Sequence, residues 1–149
     1  MRYTRAATIA LTAMAMAVSG CGSSSKPLTR AELTAKANEI CKTVTAKIST
    51  KSANTQQQIG RVAEELASFE QTALANLSKL VPPPELESDW KQFVAGAQTL
   101  AENTAKLGEY AKANNLKAAK GLIRSSEATQ KQMLAIAKRD GLNACEQVA

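Results

Sequence analysis

The chain has 149 residues, 19 basic and 13 acidic side chains for a formal net charge of +6, and only 3% aromatic residues. That length suits one domain with a real core and is short for two. A mild basic excess with so few aromatics excludes the dense, aromatic-laced patch of a nucleic-acid binder. Histidine is absent from the sequence, which removes the commonest general base and a common zinc and haem ligand together. Catalysis would rest on Glu, Asp or Lys alone, and there is neither a Gly-rich phosphate loop nor a nucleophile motif. The expectation is a protein that is not an enzyme and carries no cofactor or metal.

Arg2 and Arg5 make the N-terminus cationic, and Ala6 to Val18 form an apolar stretch too short to cross a bilayer as a stable helix. Together they predict an export signal over residues 1–20 rather than a membrane span. Val18-Ser19-Gly20-Cys21 sets small residues directly before a cysteine. This pattern resembles the lipobox of bacterial lipoproteins, and the resemblance covers all of residues 1–21. It implies that the Cys21 thiol receives a diacylglycerol, that the signal peptide is cut before Cys21, and that the new N-terminus is acylated with a palmitate-like chain. Two or more acyl chains hold a protein stably where one is marginal. The resemblance therefore implies an exported protein, anchored to the cell membrane through Cys21 on its extracytoplasmic side. Cleavage would remove Arg2 and Arg5 but no acid, lowering the formal charge by two.

Residues 21–28 read as the lipidated cysteine and a short polar tether, and residues 29–149 as one domain rich in Ala, Lys, Glu, Gln and Leu, all strong helix formers. Thr29-Arg30-Ala31-Glu32 has capping-box spacing and predicts a helix start. Leu33, Ala37, Ile40, Val44 and Ile48 continue on one face to about Lys51, and residues 52–55 form a turn. Ile59, Val62, Leu66, Phe69, Ala73, Leu77 and Leu80 line a second helix, which must stop at Val81 before Pro82-Pro83-Pro84. Pro84 and Glu85 suit the first turn of a third helix. Leu86, Trp90, Phe93, Ala97, Leu100, Thr104, Leu107 and Ala111 alternate in steps of four and three until Asn114-Asn115. A fourth helix from Leu116 turns Ala119, Leu122, Ile123, Ser126, Met133, Ile136 and Ala137 inward, and Gly141 fits the left-handed position that ends it. Short connections predict an all-α, up-down-up-down antiparallel four-helix bundle, with a three-helix arrangement and a broken hairpin as the alternative.

Cys41 and Cys145 are the two cysteines left in an exported chain, which favours a disulfide over a redox pair lacking Cys-x-x-Cys spacing. Because Cys145 lies past the fourth helix, the tail must reverse at Gly141 and lay Leu142 between the first and fourth helices; a shifted helix register is the other solution. Glu64-Glu65 reads as a solvated face. The acids of Glu85-x-Glu87-x-Asp89 read as complements to a helix dipole rather than as metal ligands. Lys117, Lys120, Arg124, Lys131 and Lys138 form a row on the fourth helix, interrupted by Glu127, that is either an ordinary solvated face or a contact for an anionic surface. Trp90 reads as core. Ser126, Thr104 and Gln130 put polar groups on apolar stripes, either bonded to backbone carbonyls or lining a small pocket.

Leu80-Val81-Pro82-Pro83-Pro84-Glu85-Leu86 followed by Asp89-Trp90 resembles a segment of small exported helical lipoproteins of high-GC Gram-positive bacteria. That resemblance implies a similar helical domain and brings no functional residues with it. The resulting expectation is a non-catalytic interaction module of the cell envelope, whose partner is the membrane through its anchor and an envelope protein or anionic polymer. The alternative is a small-ligand-binding lipoprotein with a pocket between helices.

Overall fold

The computed structural model describes residues 26–147; the expected signal segment, Cys21 and the tether up to residue 25 lie outside the described residues. Four helices, α1 (Arg30–Ser49), α2 (Gln56–Leu77), α3 (Glu87–Lys112) and α4 (Leu116–Asp140), pack against one another as an antiparallel bundle. No strand occurs among the described residues.

Local chemistry sets each boundary. Thr29 and Glu32 form the expected capping box, with the Glu32 N–H on Thr29 Oγ1 at 3.3 Å and the Thr29 N–H on Glu32 Oε2 at 2.8 Å. A second box, Thr55 with Gln58, opens α2 and was not expected from the sequence. Helix α2 ends at Leu77, four residues short of the expected Val81. Pro82 pushes Val81 away from helical angles, and Leu80 closes a turn onto the Leu77 carbonyl at 3.0 Å. Pro84–Leu86 is a separate 3₁₀ turn that buries Leu86 before α3 begins at Glu87, rather than the first turn of α3 itself. Asn114 takes a left-handed conformation at φ 53°, and the Asn115 side chain caps α4 by accepting from the Ala118 N–H at 3.1 Å. Gly141 ends α4 at φ 76°, where any side chain would be strained.

Beyond Gly141 the chain turns back. Leu142 is buried, and a final 3₁₀ turn (Cys145–Gln147) lies against both α1 and α4. The expected wedge between the first and last helices is present, and α1 meets α4 chiefly through it. Cys41 and Cys145 are joined by a disulfide with their Cα atoms 5.0 Å apart. Around this staple lies the main core of Leu33, Ala37, Leu77, Leu86, Trp90, Phe93, Met133, Ile136, Ala137 and Leu142. Trp90 is buried and stacked on Phe93 with ring centroids 5.8 Å apart. On the opposite end, α2 and α3 touch backbone to backbone at Gly60 and Gly108, where a Cβ on Gly108 would stand 3.1 Å from the Gly60 carbonyl oxygen.

The core does not run the length of the bundle. Helix α1 has 20 residues against 26 and 25 for α3 and α4, which leaves it about 8 Å shorter at 1.5 Å per residue. Ile48, Ile59 and Ile123, expected to face inward, are 37%, 47% and 53% exposed. Ile48 stands in the last turn of α1, and the stripes of α2 and α4 that carry Ile59 and Ile123 continue past the point where α1 supplies cover.

Candidate functional site: an open cleft with a buried carboxyl

The uncovered end forms a cleft of about 380 Å³ between α2, α3 and α4, walled by Ile59, Leu66, Leu107, Leu116 and Ile123 among others. It adjoins a smaller, more polar hollow of about 120 Å³ that shares Thr104, Leu107 and Ile123 and adds Glu70, Asn103, Ser126 and Gln130. Every lining side chain comes from a helix. The walls are therefore held by the same packing that forms the bundle.

Three of the polar groups in the hollow are occupied by the protein itself. Ser126 Oγ donates to the Leu122 carbonyl at 2.9 Å and accepts from Asn103 Nδ2 at 2.8 Å, and Thr104 Oγ1 donates to the Leu100 carbonyl at 3.0 Å. Of the two expectations for Ser126 and Thr104, bonding to backbone carbonyls holds, and both residues also line the hollow. Gln130 is exposed at its rim.

Glu70 differs from them. Its carboxyl lies between this hollow and a crevice lined by Leu77, Phe93, Leu100 and Met133. Oε2 is shut off from solvent and has no hydrogen-bond partner among the described residues. Burial pushes the Glu70 carboxyl above the ordinary carboxylate range, and the neighbouring Thr104 hydroxyl offsets only some of that rise. This residue was missed in the sequence although a signal was present. Ile59, Ala63, Leu66, Glu70, Ala73 and Leu77 alternate strictly by four and three, which sets Glu70 on the seam of α2.

The other predicted residues lie apart from this cleft. Lys117, Lys120, Arg124, Lys131 and Lys138 are all exposed on α4, and none of them forms an ion pair among the described residues. Glu64 pairs with Lys112 and Glu65 with Lys51, ties that cross between elements on the solvated face. Of the second acidic cluster, Glu87 pairs with Lys91 along α3 and Asp89 with Arg139 of α4, so the two acids are drawn to separate cations. The disulfide occupies both Cys41 and Cys145. Beside the triple proline, a second shallow groove of about 540 Å³ runs between Pro27, Leu80, Val81, Pro84, Trp90 and Val94. No described helix is long and apolar enough to cross a membrane. Comparison with known protein families, curated proteins and solved structures gives no match to the chain.

Proposed function

We propose that this protein is a non-catalytic binding module of the cell envelope, exported and held on the extracytoplasmic side of the membrane by lipid at Cys21. The observation that carries the reading is the attachment of the chain just after the lipobox-like sequence. The Leu28 N–H donates to the Val81 carbonyl at 2.9 Å, so residues 22–27 are all that separates Cys21 from a fixed point on the bundle. Such a tether reaches about 20 Å, which would keep the stapled end and the groove beside Trp90 close to the lipid surface. The missing histidine and the two cysteines committed to a disulfide support a binding role over catalysis. Fractionation of cells expressing the full chain tests the anchor. The wild type is expected with the membrane, with an intact mass that lacks residues 1–20 and carries acyl chains, while Cys21→Ala is expected in the aqueous fraction. Equal partitioning of the two overturns the reading.

A second reading, a small-ligand-binding lipoprotein, is favoured by the cleft between α2, α3 and α4 and by the adjoining hollow, where the buried Glu70 Oε2 has no hydrogen-bond partner among the described residues. Native mass spectrometry of the chain isolated from its own membrane is expected to show a small-molecule adduct; a ligand-free mass alone counts against it.

A further inference from the structure

The polar hollow is unequal in what it leaves unmet. The Asn103, Ser126 and Thr104 side chains each satisfy a partner within the protein. Gln130 stands exposed at the rim, and the buried group left over is an acceptor, a Glu70 carboxylate oxygen without a donor among the described residues. A buried unpaired acceptor is a standing cost to the fold, and the terminal torsion of a glutamate is broad enough to turn the carboxyl toward the hollow. Next to it lies an apolar cleft of about 380 Å³, within the usual size range of small-molecule sites. Its walls include Ile59, Leu116 and Ile123, which are 47%, 52% and 53% exposed, so the cleft opens to solvent and needs no rearrangement to be entered.

We propose that this cleft binds a small amphiphile with an apolar body and a cationic, hydrogen-bond-donating head, an alkylammonium in chemical class, with its head on the Glu70 carboxylate and its body along Leu107, Leu116 and Ile123. The proposal rests on the small-ligand reading above and names the ligand class for that site. A neutral head would leave the carboxylate charge uncompensated in a half-buried setting, and an anionic head would meet it with like charge. An ammonium supplies both the opposite charge and the missing donor. The exposed lysines of α4 do not compete for the site, because they belong to the outer face and Glu70 lies on the inner seam of α2.

The test is calorimetric titration of the oxidised full chain, carrying Cys21→Ala to keep it free of lipid, with octylamine, octanol and octanoate. Octylamine is expected to bind once per chain and about tenfold more tightly than octanol, with octanoate weakest. Glu70→Gln is expected to erase the advantage of octylamine over octanol, whereas Ile123→Ser weakens both ligands and keeps the advantage. Should Glu70→Gln fail to fold, the wild type still decides the matter. Octylamine affinity must fall as the pH is lowered through the titration of Glu70, since the amine stays charged throughout. Equal binding of amine and alcohol, or an amine affinity indifferent both to Glu70→Gln and to pH, overturns the head-group assignment and leaves the small-ligand reading standing. Failure of all three compounds to bind, or a stable dimer that closes the cleft against them, overturns both.

Discussion

Asn38 holds the returning tail with both ends of one amide: Nδ2 donates to the Gly141 carbonyl at 3.1 Å and Oδ1 accepts from the Ala144 N–H at 2.9 Å. Replacing it with alanine strands two partly buried backbone groups. Asn38→Ala is therefore expected to destabilise the domain by about 2 kcal/mol, read from the shift of the urea midpoint at an unchanged slope. Glu70 has the opposite sign. Its folded-state carboxyl titrates above the ordinary value of 4.5, so the folded chain binds that proton more tightly than the unfolded one. The stabilisation is complete below that ordinary value and is lost as the pH rises through the folded value. Glu70→Leu should raise stability at neutral pH by about 1 kcal/mol, and thermal melts should show the gain shrinking as the pH falls through the folded value toward the unfolded one, with no further change below it. A stability cost kept at one residue is the pattern expected where a side chain serves binding.

Between elements, the closest approach is α2 on α3 at Gly60 and Gly108. A Cβ on Gly108 would meet the Gly60 carbonyl oxygen at 3.1 Å and the Ala63 Cβ at 3.3 Å. Gly108→Val must force α2 and α3 away from each other where they now touch, and is expected to cost about 2 to 3 kcal/mol in a denaturant melt. Element identity was readily legible in the sequence, because caps, prolines and glycine stops act over a few residues: Thr29 with Glu32, Pro82 after Val81, Asn115, Gly141. The cleft was not legible, because it depends on a comparison between helices. Ile59 and Ile123 have sound inward spacing, and only the shortness of α1 leaves them uncovered. Glu70 was hidden for a related reason. An acid on a seam reads as a solvated residue until the neighbouring helices are known to enclose it. Asn38 carries no local signal at all, since its partners exist only once the tail has folded back.

At the scale of the whole molecule, the Cys41–Cys145 bridge closes a sequence separation of 104 residues. Cross-linking over that span removes conformational freedom from the unfolded chain worth about 4 to 5 kcal/mol on the chain-entropy account. Cys145→Ala paired with Cys41→Ala is expected to lower the melting temperature steeply and to match the melt of the reduced wild type. A reduced wild type that melted like the oxidised protein would show that packing of Leu142 alone secures the tail. Because α1 reaches α4 chiefly through that tail, loss of the bridge should free α1 first. Hydrogen exchange would register this as early loss of protection across Arg30–Ser49, with α2 to α4 opening later.

The same bridge also decides how the domain carries force. A pull between residue 26 and residue 147 enters along the first turns of α1, reaches Cys41, crosses the sulfur bridge and leaves at Cys145. Everything from residue 42 to residue 144 lies off that path, including the rest of α1, all of α2 and α3, and the cleft around Glu70. Under tension the domain can give up only the short stretch of chain outside the bridge, while the helices that form the cleft bear no load.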